Sequence, residues 1–86
     1  IFYFEGGAMP TVLRAEGFRF FFYAKDCQEP IHVHVTKGSG LAKVWVNRLQ
    51  IAASTGFRPH EETRILKIVA DNQALIIARW KQFCGE

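Results

Sequence analysis

Long apolar runs are missing from this chain of 86 residues. Nothing in it approaches the roughly 20 apolar residues of a membrane span. A charged-then-apolar leader with a small-residue cleavage site is missing too, so no secretory signal is expected. Cysteine is scarce: Cys27 and Cys84 stand far apart, with no Cys-x-x-Cys pair. That suits two incidental thiols of a reduced, cytoplasmic protein better than a disulfide framework. Repeats, low-complexity tracts and linker-like composition are not found, which leaves one domain with one core. The formal charge of +3 permits an anionic partner without demanding one. A chain this short buries only about 60% of its unfolded surface. Self-association or a small protein partner is therefore expected.

What the chain does have is Glu29-Pro30-Ile31-His32-Val33-His34-Val35-Thr36-Lys37, where two histidines alternate with aliphatic residues at period two. Successive side chains of a strand point to opposite faces. Ile31, Val33 and Val35 then share one face, and His32, His34 and Thr36 the other. The two imidazoles would lie roughly 6.6 Å apart along the strand. Pro30, which has no N–H, marks the strand's start or an edge.

The remaining segments fall around this strand. Ile1 to Ala8 reads as an expression-tag remnant, a protease-site scar followed by a Gly-Ala linker, and Met9 as a natural start. The single domain is then 9–86. Pro10 to Ala15 suits one strand, Glu16-Gly17 a turn, and Phe18 to Ala24 a second strand. Aromatic residues on both faces of that second strand (Phe18, Phe20 and Phe22 against Phe21 and Tyr23) imply that it is central or covered on both sides. Lys25 to Pro30 reads as a polar loop. Gly38-Ser39-Gly40 closes a hairpin, Leu41 to Asn47 returns, and Leu49, Ile51 and Ala53 suggest a short fifth strand. Pro59, Glu61 and Glu62 then open a helix. Its stripe of Ile65, Val69, Ile76, Trp80 and Phe83 has period 3.6. Asp71-Asn72 weakens this helix without obliging a break, and Gly85 is a stop. The expected fold is α+β: an antiparallel meander of four to five strands, packed on one face by a long C-terminal helix. The histidines should project from the other face, with Ile31, Val33 and Val35 beneath the helix.

Several of these segments carry a resemblance. Met9-Pro10-Thr11-Val12-Leu13-Arg14, Gly17-Phe18-Arg19-Phe20-Phe21-Phe22-Tyr23, Glu29 to Val35, Lys43-Val44-Trp45, Ser54-x-Gly56-Phe57 and the helix with Trp80 follow in order at compatible spacings. Together they resemble a small bacterial family known as domain of unknown function 4160. The chain differs in having Ile31 where the family commonly has a second proline, and Arg58 where a capping Ser is usual. The resemblance implies no activity. Because such genes often neighbour another small uncharacterised family, it invites a toxin–antitoxin-like reading by association.

Two chemistries can be weighed for the histidine strand. As metal ligands, His32 and His34 would need further donors, drawn from Cys27, Asp26, Glu29, His60 or Cys84. No second half-motif stands at ligand spacing, so neither a metal nor a cofactor is expected. As acid and base beside Lys43, the same pair would suit a metal-independent ribonuclease. No positioned carboxylate or tyrosine is evident from spacing, so an enzyme is not the favoured reading. The favoured one is a cytoplasmic interaction module. Its binding surface would be Arg19, Phe21, Tyr23, His32, His34, Lys43 and Trp45, and its partner itself or another small protein. Nucleic acid is a lesser candidate, since aromatic side chains among cations can stack bases and neutralise phosphates.

Overall fold

The computed structural model describes residues 9–85; the tag reading of residues 1–8 lies outside them. Five strands run β1 (Thr11–Ala15), β2 (Phe18–Phe21), β3 (His32–Lys37), β4 (Gly40–Trp45) and β5 (Gln50–Thr55). They form one antiparallel sheet in sequence order, the expected meander. A 3-10 segment, Ala24–Gln28, links β2 to β3, and helices α1 (Pro59–Asp71) and α2 (Gln73–Cys84) follow the sheet.

Turn chemistry sets the register. Glu16 and Gly17 both have positive φ, 54° and 85°, the type I′ geometry that matches the twist of two antiparallel strands. Gly38, at φ 59°, opens the two-residue turn between Lys37 and Gly40, which pair across the hairpin. Gly40 is glycine for a steric reason: a Cβ there would run into the Phe57 ring.

One sheet face carries Phe18, Phe20, Val33, Val35, Ala42 and Val44, all buried with Ile65, Ile68, Val69, Ile76 and Trp80 of the helices. Val33 and Val35 therefore lie in the helix-covered core, as the alternation predicts, while Ile31 packs at its margin. β2 lies between β1 and β3, and Phe21 on its other face is also buried, so it is covered on both sides.

The long helix divides at Asn72, whose φ of −120° and ψ of 19° leave the helical region. The Asn72 side-chain amide donates to the Ile68 carbonyl at 2.8 Å, the local competition that disfavours Asn inside helices. Gln73 then donates to the Val46 carbonyl at 2.8 Å, which fixes the start of α2 to the sheet. At the other end of α1, Arg58 offers no acceptor to cap the first turn. Pro59 occupies that turn, and the Glu61 carboxylate reaches back to the Arg58 N–H at 2.8 Å.

Cys27 and Cys84 form a disulfide, with Cα atoms 5.6 Å apart across 57 residues. This overturns their reading as incidental thiols. Sequence separation is silent about proximity here, because the 3-10 segment and the last turn of α2 meet only once the sheet and helices have packed. Closing a loop of this length removes unfolded-state entropy worth about 4 kcal/mol in the chain-entropy account, a large share of a small domain's total. A Cys27→Ser/Cys84→Ser double variant should unfold at a clearly lower urea midpoint. Dithiothreitol should lower the parent's midpoint and leave the variant's alone. Equal midpoints for parent and variant would show that the bond does not restrain the fold.

Candidate functional site

His32 and His34 follow the strand's alternation onto the face opposite Val33 and Val35. There they pair across the sheet with Trp45 and Lys43, while His34 also faces Phe21 of β2. Their surroundings differ sharply. His34 is half-buried, stacked on Phe21 at 5.6 Å and met edge-on by Tyr23 at 4.6 Å. His32 has no exposed surface. Its ring lies between Trp45, at 5.5 Å, and Trp80 of α2, at 5.3 Å. The expectation that both imidazoles stand open on the sheet therefore fails for His32. Alternation assigns the face but not its cover, and Trp80 reaches this end of the sheet from the far end of the chain.

The 3-10 segment brings in Asp26, one of the five further donors that the sequence offered. The carboxylate of Asp26 is 5% exposed, and the Tyr23 N–H donates to its Oδ2 at 2.7 Å. Oδ1 lies 3.0 Å from His32 Nε2 and 3.4 Å from His34 Nε2. These three side chains bring their donor atoms within 4.8 Å of one another. The two rings lie 5.1 Å apart. His32 Nδ1 is 2.9 Å from the Pro30 carbonyl. A carbonyl only accepts, so the proton sits on Nδ1. Nε2 has no hydrogen-bond partner among the described residues, although Asp26 Oδ1 is 3.0 Å away.

Of the other donors considered, Cys27 and Cys84 are consumed by the disulfide. His60 is exposed at the start of α1. Glu29 is held by Lys43 at 2.6 Å and lies 4.0 Å from His32 Nδ1. Lys43 sits over the Trp45 ring at 4.6 Å, and Arg19 over the Phe21 ring at 4.6 Å. Arg19, Tyr23, His34, Lys43 and Trp45 are all partly exposed on one face, whereas His32 and Phe21 are buried behind them.

The model of a family described as "Domain of unknown function (DUF4160)" matches residues 17–81. The chain belongs to the DUF4160 family. The matched segment includes Asp26, His32 and His34, so the cluster lies within the DUF4160 region. Cys27 also lies inside it, and Cys84 outside. No curated protein and no solved structure matches the chain.

Burial holds the His34 pKa below its ordinary value of 6.5, with the nearby Lys43 charge adding to this. The attraction of Asp26 and its hydrogen bond oppose the shift without cancelling it. With the folded-state pKa lowered, the unfolded chain takes up its proton first as pH falls below about 6.5. Stability attributable to His34 is then unchanged above that pH and lost progressively below it, until the folded protein is protonated as well. In buffer containing EDTA, the urea midpoint should fall between pH 7.5 and pH 5.5, and His34→Gln should flatten that fall. An identical pH dependence in the variant would show that His34 is not the group responsible.

Proposed function

We propose that this DUF4160 domain is a small interaction module. Its working surface is the sheet face bearing Arg19, Tyr23, His34, Lys43 and Trp45. The observation that carries this reading is the continuity of that face. Arg19 lies on Phe21, Phe21 stacks with His34, His34 meets Tyr23, and Lys43 lies on Trp45. Such aromatic and cationic side chains, held partly exposed by neighbours already in place, bind with little further loss of side-chain entropy.

The same face continues to Leu41, which is 44% exposed. A shallow groove of about 240 Å³ lies beside it, between His34, Lys43, Ala53 and Thr55. β5 ends the sheet order, and a sheet's edge strand offers unpaired N–H and C=O groups to an incoming strand. These features favour a protein partner, a second copy or another small protein, over nucleic acid. A toxin–antitoxin-like pairing is one setting for such a module.

No helix among the described residues is long and apolar enough to cross a membrane. The cytoplasmic setting read from the sequence remains part of this proposal, although a disulfide is commoner in oxidising compartments. The ribonuclease reading, with His32 and His34 as acid and base, requires both imidazoles to reach a phosphate. The burial of His32 counts against it.

Light scattering coupled to size exclusion, from micromolar to millimolar chain, should show a concentration-dependent dimer if the partner is a second copy. Trp45→Ala and Lys43→Glu should each weaken that association by ~30-fold or more, on the scale of interface hot spots. A strict monomer would exclude a second copy. If RNA binds instead, affinity should fall steeply with salt as counterions are released. Chelator-resistant cleavage of RNA that depends on His34 would contradict the module reading.

A further inference from the structure

We propose that Asp26 Oδ1, His32 Nε2 and His34 Nε2 form a three-ligand site for a divalent first-row transition-metal ion, with Zn²⁺ as the reference occupant. The site stands independently of the interaction reading.

The decisive observation is the buried, unpartnered Nε2 of His32. Its Nδ1–H is committed to the Pro30 carbonyl at 2.9 Å, which leaves a lone pair on Nε2. That lone pair belongs to a side chain only 1% exposed, 3.0 Å from a carboxylate oxygen. A bare nitrogen and a carboxylate oxygen are thus buried side by side, an arrangement that is costly unless something positive lies near both. A metal ion would satisfy both atoms at once.

Distances support this. Ligands bound tetrahedrally to zinc at about 2.0–2.1 Å lie roughly 3.3 Å from one another. Asp26 Oδ1 is 3.0 Å from His32 Nε2 and 3.4 Å from His34 Nε2. Both edges through the carboxylate are near that length; the three donor atoms lie within 4.8 Å of one another, so the two imidazoles would draw together on binding. The ion would replace the His34–Asp26 hydrogen bond.

Supporting contacts of the kind found behind metal ligands are also in place. The Pro30 carbonyl sets the tautomer and tilt of His32, and the Tyr23 N–H engages Asp26 Oδ2, which also lies 3.2 Å from His34 Nε2, so the carboxylate is held in place by its other oxygen. Trp45 and Trp80 wall the His32 side. The His34 side chain keeps 14% of its surface exposed, and the fourth position of a tetrahedral ion would take water or a donor from a bound molecule.

The donor set also selects the ion. Two imidazoles and one carboxylate suit zinc and its neighbours. Calcium and magnesium prefer an all-oxygen shell, and the sulfurs that would favour softer ions are tied up in the disulfide.

The full chain, stripped with chelator and dialysed, would be titrated with ZnCl₂ by calorimetry and with CoCl₂ by absorption. The expected result is one Zn²⁺ per chain, a Zn²⁺-induced rise in the thermal midpoint, and Co²⁺ d–d bands of a low-coordinate site. Asp26→Asn and His34→Gln should each weaken Zn²⁺ binding by at least about 100-fold, while circular dichroism shows the fold retained. His60→Gln, which alters the exposed histidine, should bind as the parent does. MgCl₂ should give no saturable heat. Absence of stoichiometric Zn²⁺ binding would overturn the proposal, as would binding kept in His34→Gln but lost in His60→Gln.

Discussion

A carboxylate buried between two imidazoles is the constraint on which this small domain turns. Asp26 is nearly inaccessible, and a buried charge is tolerated only when its surroundings supply compensation. The Tyr23 N–H supplies part of it. The rest comes from β3, whose alternation delivers His32 and His34 to the same side as the 3-10 segment. A one-residue slip of β3 would turn both histidines into the core and carry Val33 and Val35 out of it. The hydrophobic register of the sheet and the polar cluster thus enforce one another.

The helices complete the cluster from the other end of the chain. The turn at Asn72 gives α2 a separate direction from α1, and Gln73 anchors its start to Val46. α2 then places Trp80 against both Phe22 and His32. Its last turn is joined through Cys84 to Cys27, the immediate neighbour of Asp26. Apolar packing and a covalent tie therefore converge on the segment that carries the buried carboxylate. A domain with so little core relies on such ties more than a larger one would.

Much of this fold can be read from residue patterns. The period-two run from Ile31 to Val35, the turns at Glu16-Gly17 and Gly38-Ser39, and the helical stripe through Ile65, Val69, Ile76 and Trp80 report local geometry, which is what periodicity encodes. The candidate site was legible only in part. His32 and His34 announce themselves by alternation, yet Asp26 sits in a polar loop whose path depends on where β2 ends and how α2 packs. An acidic residue shortly before a His-x-His strand is the available signal, and it is a weak one. The disulfide and the burial of His32 depend on contacts between distant segments, which no local pattern specifies. Asp71-Asn72 did carry a local signal for the division of the helix, but propensity alone rarely decides whether a helix breaks.

The central claim is that His32 holds its proton on Nδ1, toward the Pro30 carbonyl, and presents a bare Nε2 to Asp26 and His34. Nitrogen-15 NMR of the imidazoles in metal-free protein near pH 7.5 tests it directly, because the two ring nitrogens have distinct shifts when one bears a proton and the other does not. The account predicts a neutral His32 ring with Nδ1 protonated and Nε2 bare. A His32 ring with its proton on Nε2 would contradict it.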